Sequence, residues 1–186
     1  MGVGRAFVVW AGLVGILAPG SAAAAAGAPL LASTPGQDLS FTVGNTVRVA
    51  AVTREGFASD GIELETSPGR LRGRVGTQPV DIRLEPERLD GTIGDHKIAL
   101  DVWRSGDHLQ IAGDFGERTV AMSVSVKDVH AQIGPCWYKL TLVLGSYFGY
   151  MSCGGPAEQV ELKVPVSLVT RDDRELGAML TALFAR

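Results

Sequence analysis

The chain has 186 residues, 17 Lys or Arg against 20 Asp or Glu, a formal net charge of −3, and 46% hydrophobic residues. That length holds one ordinary domain with a sizeable core plus accessory segments. Mild acidity without a Lys/Arg cluster on any one segment excludes the electrostatic footprint of a nucleic-acid binder.

Residues 1–26 open with a single basic residue, Arg5, run through an apolar stretch from 6 to 18, and reach Ala24-Ala25-Ala26. Basic start, apolar run and small-residue site together read as a secretory signal peptide. The run is short for a helix spanning a bilayer, which needs about 20 residues. Its removal takes one Arg and leaves 16 basic against 20 acidic residues. The expectation is a periplasmic or secreted protein with no transmembrane span after signal removal. Residues 27–37 lack periodicity and read as a linker.

From 38 to 169 the hydropathy period is two. Leu39, Phe41 and Val43 share one face of a strand, as do Val47, Val49 and Ala51 of the next, with Gly44-Asn45 as a two-residue hairpin turn between them. From Leu71 the chain repeats itself. Apolar residues recur around Gly76, Gly94, Gly116 and Gly134, which are spaced by 18, 22 and 18 residues. A Gly-x turn places Val75 with Val80, Ile93 with Ile98, Phe115 with Val120, and Ile133 with Tyr138 on common faces. Within strands, Val80, Ile82 and Leu84 alternate with Asp81, Arg83 and Glu85. Val120, Met122, Val124 and Val126 alternate with small or polar residues, and so do Val160, Leu162, Val164 and Val166. One buried and one wet face marks an antiparallel sheet. A solenoid would share the period, but Gly-x turns favour antiparallel pairing. The fold class is therefore all-β: an antiparallel hairpin-repeat meander, closed as an up-and-down barrel or folded as a sandwich.

Residues 170–186 change period. Thr170 and Asp173 resemble a capping box, and Leu176, Met179, Leu180, Leu183 and Phe184 fall at helical spacing. The expectation is a short amphipathic helix that plugs a barrel end or covers a sheet edge.

The chemistry-bearing residues are sparse. His96, His108 and His130 show no metal-ligand spacing and read as surface side chains. Gly69–Gly76 has strand pattern on both sides, so it lacks the helix a phosphate loop requires. No G-x-S-x-G occurs, and the assignable inward positions carry no carboxylate pair. No catalytic, cofactor or metal site is expected. The two cysteines, Cys136 and Cys153, begin and end neighbouring antiparallel strands, where their Cβ atoms reach the roughly 4 Å of a disulfide. They read as a staple between export-stage strands, not a redox or zinc site.

Half of the aromatic residues after position 26 crowd into that same hairpin. Parity turns Tyr138, Leu140, Leu142 and Leu144 inward and Trp137 outward; Trp103, next to inward Val102, also faces out. Trp137, Tyr147, Phe148 and Tyr150 form a candidate binding surface, or else a rim cap. The functional expectation is a non-catalytic binding or structural module of the cell envelope, with an unidentified protein or apolar small molecule as partner. The alternative is a lipocalin-like carrier with an apolar ligand inside the barrel, and a hydrolase ranks third because no motif for nucleophile, base or metal is found.

Overall fold

The computed structural model describes residues 38–184 apart from 54, 55 and 60; the expected signal peptide, 1–26, and linker, 27–37, lie outside the described residues. Fourteen strands run in chain order through these residues. They are β1 (Asp38–Val43), β2 (Thr46–Val52), β3 (Gly56–Ser59), β4 (Ile62–Ser67), β5 (Arg70–Val75), β6 (Gln78–Glu85) and β7 (Arg88–Ile93). The second half holds β8 (His96–Ser105), β9 (His108–Phe115), β10 (Arg118–Val124), β11 (Asp128–Ile133), β12 (Cys136–Val143), β13 (Ser146–Ser152) and β14 (Glu158–Lys163). Two helices follow, α1 (Val166–Val169) and α2 (Asp173–Phe184).

Each strand pairs antiparallel with its sequence neighbours, and β1 pairs with β14 through Phe41 opposite Leu162 and Val43 opposite Val160. The meander is thus a closed barrel, which removes every sheet edge. The Gly-x turns hold as read. Gly76, Gly94, Gly116 and Gly134 have φ of 62°, 58°, 61° and 55°. Val75 faces Gln78, Ile93 faces His96, Phe115 faces Arg118 and Ile133 faces Cys136. These turns lie on one rim, here the distal rim.

A second glycine series lines the inside wall. Gly73, Gly91, Gly113 and Gly149 each stand between two inward aliphatic residues of the flanking strands, as Gly91 does between Ile82 and Ile98. A Cβ built on them would fall 1.8, 2.1, 2.1 and 1.9 Å from the carbonyl oxygens of Glu63, Asp81, Ala99 and Lys139. The neighbouring backbones approach that closely only because no side chain intervenes. Glycine at such bends gives a sheet the curvature that closure needs. At the equivalent place in β11 the residue is Ala131, between Met122 and Tyr138.

The barrel interior is occupied by α2. Nine consecutive residues, Leu176 to Phe184, are buried; all are uncharged, and the one polar side chain, Thr181, donates back to the Gly177 carbonyl at 2.8 Å. Leu176, Met179, Leu180, Leu183 and Phe184 are buried as their spacing suggested. Gly177 and Ala182 are buried too, and a Cβ on Gly177 would lie 3.3 Å from Ile111. The helix begins at the proximal rim, where Arg104 grips Asp173 with two bonds of 2.6 and 2.7 Å. Arg171, its side chain only 7% exposed, binds Glu175 at 2.9 Å and the Thr53 carbonyl. The helix ends against the distal rim, where the Phe184 ring meets Phe41 edge-on at 5.4 Å and Tyr138 at 4.8 Å. The Tyr138 hydroxyl donates to the Phe184 carbonyl at 3.2 Å, satisfying one of the helix's last acceptors.

Several expected positions move. The N-cap is Asp172, whose carboxylate accepts from the Arg174 N–H at 2.9 Å, while Thr170 lies in the turn just after α1. Val126 leaves the inner face because β10 stops at Val124; it is 39% exposed in the loop. The last strand stops at Lys163, and beyond Pro165 the backbone at Val166 is helical. Leu144 is not inward: it occupies the β12–β13 turn with φ of 51° and is fully exposed. In β2 the face of Val47 and Val49 is the outer one, 60% and 51% exposed.

Candidate binding face

The outer wall divides into two kinds of surface. Over β4 to β8 it is a grid of ion pairs: Arg74 with Glu63 at 2.8 Å, Arg70 with Asp81 at 2.6 Å, and Arg88 with Asp90 at 2.6 Å and Asp101 at 3.2 Å. The Arg70 hydrogen bond holds the Asp81 carboxyl below its ordinary range, and Asp81 in turn raises the Arg70 guanidinium. These charges satisfy one another.

Over β8 to β13 the pairing register sets two parallel rows of outward residues. One runs Trp103, Gln110, Ser123, His130, Lys139, Tyr150, each directly opposite the next. The other runs Asp101, Ala112, Ala121, Gln132, Trp137, Ser152. Two adjacent alanines leave the middle of the second row low, and a shallow, open groove of about 340 Å³ lies there, with Trp103 and Trp137 among the residues that line it. The tryptophans are 42% and 41% exposed, so each side chain is only partly covered. The Gln110 amide donates to Ser123 Oγ at 3.0 Å, while Gln132 and His130 have no hydrogen-bond partner among the described residues.

The groove is anchored at its Trp137 end. Cys136 and Cys153 are bonded, Sγ to Sγ at 2.00 Å, and Trp137 directly follows Cys136 and faces Ser152. Ser152 donates to the Gly155 carbonyl at 2.7 Å, which ties the β13–β14 loop to the same point.

The four residues proposed from sequence separate. Trp137 lines the groove; Tyr150, 56% exposed, is its diagonal neighbour across β12 and β13. Phe148 faces outward, half-buried, one row nearer the proximal rim between Thr141 and Glu161. Tyr147 does not belong to the outer surface. It shares the inner face with Leu142 and Leu162, is fully buried, and its hydroxyl lies 3.0 and 3.1 Å from the Ser125 and Val126 carbonyls. Trp103 replaces it as the second aromatic of the site. Gln110, Ser123, His130 and Gln132 carried no sequence signal of their own, since only the pairing register aligns them.

A second recess, about 180 Å³, opens at the distal rim between Phe41, Met151 and Leu183. Arg48 and Glu158 reach it from inward positions, opposite Phe41 and Met151 respectively, so the inner face does carry one acid at its edge. Glu158 is the one carboxylate among the described residues that line this recess, beside the hydroxyls of Thr46 and Tyr138. Burial pushes the Tyr138 phenol up, which keeps it a neutral donor to Phe184. Among the described residues no group of three or more His, Cys, Asp or Glu is arranged to hold a metal ion, and no helix is long and apolar enough to cross a membrane. His108 stands 2.8 Å from Asp107 and 3.8 Å from Asp128 at the proximal rim, and the His96 ring lies 6.0 Å from Phe115 at the distal rim.

No protein family, curated protein or solved structure matches this chain.

Proposed function

We propose that the chain is an exported, non-catalytic binding module of the cell envelope that acts through the outer face of β8 to β13. The observation that carries this reading is the groove between Trp103 and Trp137, two large aromatic rings left half-open beside an uncharged floor. Solvent-facing tryptophan is costly to leave uncovered and is the residue type most enriched where binding energy concentrates. Two further features support the reading. Residues 1–26 have the pattern of a secretory signal, and the charged wall over β4 to β8 suits water, since Arg or Lys facing mid-bilayer costs about 2–4 kcal/mol each. The helix α2 is buried from Leu176 to Phe184 inside the barrel, which favours the outer face over the lumen as the place for a ligand.

The test is retention on envelope isolated from the protein's own host. The wild-type chain is expected to sediment with the envelope, and the Trp103→Ala/Trp137→Ala double variant to stay in solution with its melting temperature unchanged. Retention that ignores both tryptophans would remove this reading.

A further inference from the structure

Resting on that binding face, we propose that the groove takes a neutral, linear oligosaccharide laid across the strands from Trp103 to Trp137. The span decides the size class. β8 and β12 are four interstrand steps apart, about 19 Å, and the two tryptophans are offset by one row. A sugar ring is about as long as one interstrand step, so the groove holds about four rings.

The chemistry decides the ligand class. A pyranose ring presents C–H groups on its faces and hydroxyls around its edge. Indole rings at both ends receive the apolar faces, and an aromatic side chain does so with few rotamers to freeze. Between them stand Gln132, His130 and Ser123, side chains that both donate and accept, as hydroxyls do. Two of the three are unpaired within the described residues and so are available to a ligand.

Charge complementarity excludes the acidic alternatives. The residues lining the groove include no carboxylate, ammonium or guanidinium, although the adjoining wall is rich in them. Asp101 and Lys139 stand at opposite corners, with opposite signs. A phosphate or uronate chain calls for a guanidinium fork, which is missing there.

The experiment uses the full chain on its host envelope after three parallel treatments: protease, periodate, and lysozyme. Periodate cleaves sugars with vicinal diols, and lysozyme cleaves the amino-sugar chains that resist it. Loss of retention after periodate or lysozyme supports the proposal, whatever protease does. Loss after protease alone, or retention that survives all three treatments, overturns the oligosaccharide while leaving Trp-dependent binding intact. Absence of Trp-dependent retention on untreated envelope would instead remove the binding face itself. In the supported case Trp103→Phe keeps retention, whereas Trp103→Ala and Trp137→Ala each weaken it about tenfold or more.

Discussion

Replacing Gly91 by Ala tests why this meander closes. Gly91 lies mid-strand in β7 between Ile82 and Ile98, and its φ is outside the left-handed region, so only contact opposes a side chain there. An added Cβ would stand 2.1 Å from the Asp81 carbonyl oxygen and 2.7 Å from Ile82 Cα, where real Cβ atoms keep beyond 3.0 Å. Both obstacles are backbone, so no rotamer change relieves them, and β6 and β7 must part by about an ångström. Overpacking of that kind costs about 1–3 kcal/mol. Against it, Ala restricts the unfolded chain and returns about 0.4–1 kcal/mol. The net expectation is a loss of roughly 1–2 kcal/mol, read as a lower urea midpoint at unchanged slope. The opposite exchange is the control. Ala131→Gly, at the equivalent place in β11, should lose only about 0.5–1 kcal/mol through backbone entropy. A Gly91→Ala protein as stable as wild type, or more so, would refute the steric account of barrel curvature.

Other expectations follow from the interior and the rims. Phe184→Ala removes a buried ring packed on Phe41 and Tyr138, and thermal unfolding should report a loss of about 3–5 kcal/mol; Tyr138→Phe, which deletes one hydrogen bond, about 1 kcal/mol. Replacing both Cys136 and Cys153 by Ser frees a loop with sequence separation 17, worth about 3 kcal/mol in chain entropy, and should also weaken envelope retention because Trp137 adjoins the bond. Asp81 is held low by Arg70, so its contribution is full above the ordinary carboxylate range near about pH 4 and is lost as pH falls through its lower folded value. Below that range, wild type should therefore lose stability more steeply than Asp81→Asn in acid titrations followed by circular dichroism.

How far the chain could be read in advance follows from where its turns are marked. Gly76, Gly94, Gly116 and Gly134 announce the distal two-residue turns, and each fixes the register of the hairpin it joins: β5–β6, β7–β8, β9–β10 and β11–β12. The proximal turns are less legible. Leu144 takes a left-handed φ that glycine normally fills, so parity counted through it misplaces both Leu144 and Tyr147. Closure by β1 and β14 joins segments more than a hundred residues apart, a pairing that local periodicity does not encode. The helix read as amphipathic because Asp172, Asp173 and Glu175 dominate its start; its later small residues, Gly177 and Ala182, become core only once a wall surrounds them. The binding face is the least legible part. Trp103 and Trp137 are 34 positions apart, and the two alanines that make a groove between them mean nothing until five strands are in register.

The tryptophans also supply the most direct measurement. The chain holds Trp10, Trp103 and Trp137, so a Trp10→Phe protein emits only from the two walls of the groove. Titrated with soluble fragments released from the host envelope by lysozyme or mild acid, that emission should change in intensity and saturate, with the amplitude of the change about halved by either Trp103→Phe or Trp137→Phe. Emission that stays constant while the protein remains bound to envelope would contradict the claim that this face is where it binds.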